Sequence, residues 1–151
     1  MTVWQNGLKK QGCDLVEYKP TTSSAKEFAS AGKLEEWIHL FLCGEGDNKP
    51  FSDGLKLEPR NYYAPELMQL NKFERCCGPE AHMKWQVPEI SFNKHVDGIA
   101  SFYSTGNWDM PPLIVYRDDN GYELNDGNHR YEALKRLGIN EYWVIIWETQ
   151  T

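Results

Sequence analysis

The sequence predicts an α+β domain with a small mixed sheet, helices packed around it and a helical N-terminal extension. Apolar residues recur at helical spacing over residues 25–43 and 94–103, which is typical of amphipathic helices. Residues 113–116 and 142–147 are short apolar runs, as expected for strands that are buried in a sheet. The chain has 151 residues, enough for one domain with a sizeable core.

The composition narrows the classes of function. The formal net charge is −6, with 40% hydrophobic and 25% charged residues, which is ordinary for a globular protein. Proteins that coat nucleic acid usually present a basic face, so a nucleic-acid partner is disfavoured. No apolar run approaches the roughly 20 residues that span a bilayer, and residues 1–11 lack the apolar stretch of a secretory signal. We therefore expect a cytoplasmic protein with no membrane partner, whose oligomeric state is open.

The four cysteines are Cys13, Cys43, Cys76 and Cys77. We expect reduced thiols, because a chain of this length can fold by packing alone. Cys76 and Cys77 could hold zinc together with His82, but the usual two-residue spacer between the thiolates is missing. The sequence therefore disfavours a zinc site.

We expect residues 1–83 to form an extension that packs on a domain over residues 84–151, the two making one compact unit. Residues 1–24 are predicted to be an ordered or half-ordered arm, in which Val3 and Trp4 can still pack. A loop and helix-entry signal ends this arm.

A single helix is predicted over residues 25–43, with Ser24 as its N-cap, Gly32 weakening its middle and Gly44 ending it. The next segments are less regular. Residues 51–57 are predicted to form a short strand or turn, and residues 66–70 a short helix or strand.

Arg75, Cys76, Cys77 and Glu80 lie together around a Gly-Pro turn. One interpretation is that this loop faces a site, since functional residues are often on loops. The other is that the two cysteines are small buried hydrophobes before a turn. The sequence leaves both open.

The C-terminal half is the better patterned part of the chain. Asn120-Gly121 is predicted at the tip of a hairpin, and Gly138 is predicted just beyond the end of a helix. The predicted elements are an extended segment at 84–87, a helix at 94–103, strands at 113–116 and 122–125, a helix at 128–137 and a strand at 142–147.

The segment Asp126 to Arg130 is the strongest candidate for a binding site. A strand ends there, Gly127 permits an unusual backbone turn, and a helix begins. The first turn of a helix has unpaired N–H groups and favours anions. Arg130 adds a fork suited to phosphate oxygens, and His129 can donate a hydrogen bond or move a proton. The alternative is that the segment binds no ligand: Asp126 would be only an N-cap, His129 a packed histidine and Arg130 a solvated helix residue.

This segment and its neighbours resemble the ParB/sulfiredoxin superfamily. The resemblance covers residues 86–147 and includes Pro112-Leu113-Ile114-Val115, Gly121 to Arg130, Ala133-Leu134 and Leu137-Gly138. It implies a ParB/sulfiredoxin-like fold and a likeness to bacterial ParB-like proteins. In the superfamily the Gly-x-x-Arg turn binds nucleotide phosphates, which implies such contacts for Gly127, Asn128, His129 and Arg130.

The departures from known members limit what the resemblance implies. Sulfiredoxins have a nucleophilic cysteine after the glycine, whereas this chain has Asn128, so sulfiredoxin chemistry through this turn is not expected. ParB proteins bind CTP and carry a helix-turn-helix after this region; this chain ends at Thr151, so we expect no DNA-reading part. Free-serine kinases have an Asp-Gly-x-His-Arg turn like this one and an upstream glutamate base, for which Glu89 is the candidate.

Three functions remain open, because this superfamily hosts several activities. The first is binding of ATP or CTP with Mg²⁺, followed by phosphoryl transfer to an unknown small-molecule acceptor or by hydrolysis. Asp126, His129 and Glu89 are its candidate catalytic residues, and Asp126 is also the candidate Mg²⁺ ligand. The second is a nuclease or DNA-associated protein, which the acidic balance disfavours. The third is a non-catalytic module in which the turn binds a small anion or stabilises the fold.

Overall fold

The structure is a computed structural model that describes residues 8–11 and 14–151. Val3, Trp4 and Cys13 lie outside the described residues. The first described elements are two strands, β1 (Leu8–Gln11) and β2 (Asp14–Glu17), which pair antiparallel.

The predicted helix over residues 25–43 is wrong in its continuity, because two helices occupy this region: α1 (Thr22–Ser30) and α2 (Leu34–Cys43). The chain reverses at Gly32, whose φ of +73° is open to glycine without strain. The N-cap of α1 is Thr21, not Ser24.

Ser24 instead joins the two helices. Its hydroxyl accepts a hydrogen bond from Trp37 Nε1 at 2.7 Å and donates to Lys19 O at 2.7 Å.

Residues 51–57 belong mostly to a helix, α3 (Lys49–Leu55), so the predicted strand or turn is wrong. Pro50 lies in the first turn of α3, where a missing N–H costs nothing. After α3 come two short strands, β3 (Arg60–Tyr62) and β4 (Glu66–Gln69). The strand alternative for residues 66–70 is therefore correct up to Gln69, after which one 3-10 turn follows.

The main sheet has five strands and is mixed, as predicted. Its longest strand, β9 (Glu141–Thr149), pairs antiparallel with both β3 and β4 along one edge and parallel with β7 (Leu113–Asp118) along the other. Strand β7 also pairs antiparallel with β8 (Gly121–Asp126). The sheet thus takes strands from both sides of residue 84. A separate parallel pair joins β5 (Cys77–Gly78) to β6 (Trp85–Gln86).

The order of elements predicted for the C-terminal half is confirmed. Helix α4 (Glu89–Tyr103) starts earlier than residue 94, and α5 (Asn128–Arg136) is followed by Gly138 with φ +78°. The β7–β8 turn has Asp119-Asn120 as its two-residue loop, one residue before the predicted tip.

The sheet separates two layers of helices. Ile114 and Ile145 face Trp37 and Ile38 of α2, in the core on one side. The alternating residues of the same strands face the other side, where they pack with Leu134 of α5. The fold class is therefore α+β, with α1–α3 and α4–α5 on opposite faces. Within the described residues, no helix is both long enough and apolar enough to cross a membrane.

Candidate functional site

The turn between β8 and α5 depends on a glycine. Gly127 has φ +105° and ψ 23°, a left-handed conformation that side-chain-bearing residues rarely adopt. A Cβ atom there would lie 2.7 Å from Leu113 Cδ2 and 3.0 Å from Arg130 Nη2. Both the backbone and the packing therefore exclude a larger residue.

The start of α5 has uncapped backbone donors. No side chain caps this helix, and its first intrahelical bond runs from Tyr131 N–H to Gly127 O at 2.8 Å. The N–H groups of Asn128, His129 and Arg130 therefore have no acceptor within the helix. Their alignment gives this end of α5 a partial positive charge.

Asp126 and Arg130 form a buried ion pair under the turn. Arg130 Nη2 donates to Asp126 Oδ2 at 2.8 Å, and Asn48 Nδ2 donates to Asp126 Oδ1 at 3.0 Å. Arg130 Nη1 donates to the carbonyls of Pro111 and Pro112, each at 2.8 Å. Burial raises the pKa of the Asp126 carboxyl, and Arg130 and Asn48 oppose that effect. These bonds tie α5, the start of β7 and the loop before α3 together.

Asn128 holds the cysteine segment against the turn. Its Oδ1 accepts from the N–H groups of Cys76 at 2.8 Å and Cys77 at 3.1 Å. The Cys76 thiol donates to Leu124 O at 3.0 Å. Burial raises the pKa of both thiols, so both are protonated near neutral pH.

His129 lies in the first turn of α5 and carries a neutral imidazole ring. Its ring stacks on His95 with centroids 4.1 Å apart and lies 4.9 Å from Phe92. Burial, and then the neighbouring His95, lower the pKa of His129 to about 4. At neutral pH the ring therefore offers one N–H donor and one acceptor nitrogen.

Two adjoining cavities meet at this turn. The smaller has a volume of about 370 Å³, and the larger has about 740 Å³. Such volumes suit small-molecule ligands. Both cavities are lined by the turn and by residues from two other segments: Asp126, Gly127, Asn128 and His129, with Glu45, Gly46 and His95.

The two cavities together form a cleft, and its remaining walls were not predicted from the sequence. Phe41, Ile99, Trp108 and Pro111 line the smaller cavity. They come from α2, α4 and the segment before β7, which only the fold brings together. The aromatic content of 13% was the one available signal, and it does not name residues.

The remaining candidate residues are divided between the cleft and its surroundings. Cys76 and Cys77 line the larger cavity. Arg75 and Glu80 do not line either cavity; they pair with each other at 2.6 Å, and Arg75 also pairs with Glu132 at 3.1 Å. Glu89 is exposed in the first turn of α4, outside the lining of both cavities.

Few side chains at this turn could act as ligands for a metal ion held by the protein alone. Both Asp126 oxygens already accept hydrogen bonds. Among the described residues, no group of three or more His, Cys, Asp or Glu side chains is placed to hold a metal ion. The residues therefore fit a metal that arrives with a ligand better than one held by the protein alone.

No protein-family model matches the chain, and no curated protein matches it. Solved structures similar to part of it include a conserved hypothetical protein from Pyrococcus furiosus, with a TM-score of 0.43 and 15% identity over 54% of this chain and 31% of that one. They also include sulfiredoxin from Arabidopsis thaliana, with a TM-score of 0.41 and 23% identity over 54% of this chain and 84% of that one.

A third similar structure is a Pnob8-like ParB-N domain, with a TM-score of 0.45 and 21% identity over 62% of this chain and 33% of that one. The chain thus spans about a third of the length of the Pyrococcus and ParB-N chains.

Proposed function

We propose that this protein binds a nucleotide such as ATP or CTP in the cleft, with the phosphates at the start of α5. The observation that carries the proposal is the uncapped first turn of α5 at the junction of two ligand-sized cavities. Backbone N–H groups and the helix dipole favour an anion at such a place.

His129 adds a side-chain donor to these backbone groups. Its neutral ring can donate a hydrogen bond to a phosphate oxygen, and the approach of that anion would in turn favour the protonated ring. Arg130 supports the site from below through Asp126. In this proposal Arg130 holds the turn in place and also contributes a positive charge.

The walls suggest where the rest of the ligand lies. Ile99 and Trp108 line both the smaller cavity and an open groove of about 490 Å³ along α4, which also includes Phe102. Aromatic and aliphatic surfaces of this kind suit a nucleobase, because bases stack on them. The larger cavity, on the Cys76 side, then remains for a small-molecule acceptor.

Mg²⁺ would enter with the phosphates. Mg²⁺ in nucleotide sites commonly keeps several waters and uses one or two carboxylates besides the phosphate oxygens. Glu45 and Asp47 line the larger cavity and are the carboxylates that would hold the hydrated ion, alongside the candidate ligand Asp126. Glu45 Oε1 already accepts a hydrogen bond from the Tyr18 hydroxyl at 3.0 Å, so its other oxygen would face the ion.

The reaction class we propose is phosphoryl transfer to that acceptor, or nucleotide hydrolysis. Such chemistry depends mainly on positioned charge, which α5 and the metal would supply. Among Asp126, His129 and Glu89, His129 is the candidate for proton transfer with a nitrogen available in the cleft. The proposed catalytic roles of Asp126 and Glu89 depend on ligand-induced movement. Asp126 is hydrogen-bonded to Arg130 and Asn48, and Glu89 lies outside the cleft.

Isothermal titration of the whole protein with ATP, CTP and ADP, with and without Mg²⁺, tests the proposal. His129→Glu places a carboxylate at the phosphate position and should weaken binding by about tenfold or more, equivalent to roughly 1.4 kcal/mol. His82→Glu makes the same change at an exposed histidine outside both cavities and should leave affinity unchanged. Absence of binding at millimolar nucleotide with Mg²⁺ would overturn the proposal.

A non-catalytic binding module is the second candidate. The internal use of Asp126 and Arg130 favours it, because both polar side chains already have protein partners. Release of phosphate or transfer of ³²P from bound ATP would distinguish an enzyme from a module. Nucleotide binding without turnover in the presence of candidate acceptors would favour the module.

A further inference from the structure

A second cluster of polar side chains lies on the opposite helical layer, between α2 and α3. His39 Nδ1 is 2.6 Å from Ser52 Oγ, and Ser52 is fully buried. The Cys43 thiol donates to the same Ser52 oxygen at 3.5 Å. One nitrogen of the His39 ring is therefore fixed by a buried hydroxyl.

The other ring nitrogen makes no hydrogen bond. His39 Nε2 and Tyr62 Oη are the buried side-chain polar atoms that make no hydrogen bond, within the part of the chain that the structure describes. Buried polar groups are nearly always satisfied, and an exception commonly indicates a water molecule or an ion. His39 thus presents an unused nitrogen lone pair or N–H to its surroundings.

A carboxylate faces this nitrogen. Glu35 lies one helical turn before His39 on α2, and its Oε2 is 4.0 Å from His39 Nε2. The side chain of Glu35 is 64% exposed, so it can adjust its position at little cost. Both residues line a surface cavity of about 550 Å³.

We propose that His39 Nε2 and the Glu35 carboxylate bind a divalent transition-metal ion such as Zn²⁺. Metal-binding histidines usually donate their second ring N–H to a protein acceptor, which fixes the tautomer, and Ser52 Oγ is placed to accept it. In tetrahedral zinc the ligand nitrogen and oxygen are roughly 3.4 Å apart, from bonds of about 2.0–2.1 Å. Glu35 reaches that separation by moving about half an ångström.

Two protein ligands leave coordination positions open. Among the described residues, no third His, Cys, Asp or Glu side chain completes a metal-binding group here. Solvent would fill those positions. An incomplete protein set of this kind predicts moderate affinity and an exchangeable ion. The site is separate from the α5 cleft, so it does not depend on the proposed nucleotide binding.

The experiment is a Zn²⁺ titration of the whole protein with ¹⁵N-labelled histidine, observed through the ring nitrogens. Zinc binding at His39 should shift its Nε2 resonance, which is assigned by its loss in His39→Gln. Glu35→Gln keeps the shape of an exposed residue and should weaken this binding by about tenfold. Glu27→Gln removes an equal charge from the exposed face of α1 and should have no effect.

The other histidines act as internal references, because zinc that binds at the cysteines or at His95 and His129 leaves the His39 signals unchanged. The proposal is overturned if the His39 nitrogens do not respond to Zn²⁺ at about 1 mM, which is the weak limit of specific binding. It is equally overturned if Glu35→Gln binds as tightly as the natural sequence.

Discussion

Replacement of Arg130 by alanine tests whether this residue supports the turn or only binds ligand. The guanidinium donates to Asp126 Oδ2 and to the carbonyls of Pro111 and Pro112, all at 2.8 Å. Both charged side chains are at most 10% exposed. The substitution would leave a buried carboxylate with Asn48 as its remaining hydrogen-bond donor, together with two carbonyls that lose their donor.

The expected loss is large. Removing one partner of a buried ion pair typically costs about 3–5 kcal/mol, because the other charge remains buried without compensation. For a chain of this size, that corresponds to a fall in Tm of roughly 6–20 °C. Replacing both charged residues by well-packed apolar ones need not destabilise the protein as much. The expected loss therefore refers to the single substitution of Arg130.

Urea and thermal unfolding followed by circular dichroism would measure the effect. Arg136→Ala is the matched control, since Arg136 is an exposed arginine on the same helix that pairs with Glu132 at 2.9 Å. Surface pairs of this kind contribute about 0–1 kcal/mol. If Arg130→Ala lost less than about 1 kcal/mol while nucleotide affinity collapsed, the structural role argued for Arg130 would be refuted.

Three further changes probe the same region and the N-terminal helices. Gly127→Ala should destabilise the fold by more than about 1–3 kcal/mol, which is the usual cost of a strained backbone, because the new Cβ also meets Leu113 Cδ2. Gly106 is the control, since it has a φ of +79° and open space around it. Gly106→Ala should therefore show the backbone cost alone in urea unfolding. His129 has a folded pKa of about 4 against about 6.5 unfolded, so its contribution to stability is complete above pH 6.5 and disappears as the pH falls towards 4. An NMR titration should find that low pKa, and His129→Asn should flatten this part of the pH–stability curve. Ser24→Ala should cost about 1–3 kcal/mol in urea unfolding, since it removes the acceptor of the buried Trp37 N–H, and a loss below 0.5 kcal/mol would contradict that reasoning.

The sheet and the α5 turn were predictable because local and tertiary preferences agree there. The short apolar run at 142–147 favoured a buried strand, and it lies in the strand that pairs with three others. Asp126-Gly127 followed by a helical pattern left one position for the helix start. Gly138 with φ +78° ended the same helix as expected.

The N-terminal half was less predictable because its decisive interactions are tertiary. A glycine within a helical pattern is compatible with a weakened helix or with a break, and the hydrogen bond between Ser24 and Trp37 accompanies the break at Gly32. Residues 51–57 have no clear periodicity, and their helix packs through Leu55 into the core of α1 and α2. Local sequence carries little of that information.

The candidate site shows the same division. The spacing of Asp126, Gly127 and Arg130 located the cleft, but it did not reveal that Asn48 and two proline carbonyls engage the charged pair. Those partners are 18 or more residues away in the chain. The contributions of the Glu45–Asn48 loop and of Ile99 on α4 to the cavity lining were not predicted, for the same reason.

The most direct measurement of the central claim is a ¹H–¹⁵N NMR titration of the whole protein with ATP or CTP and Mg²⁺. If phosphates bind the uncapped turn, the amide signals of Gly127, Asn128, His129 and Arg130 should move first and saturate together, and the Ile99 and Trp108 signals should follow. Absence of amide shifts at the start of α5 up to millimolar nucleotide, or shifts confined to another surface, would contradict the claim.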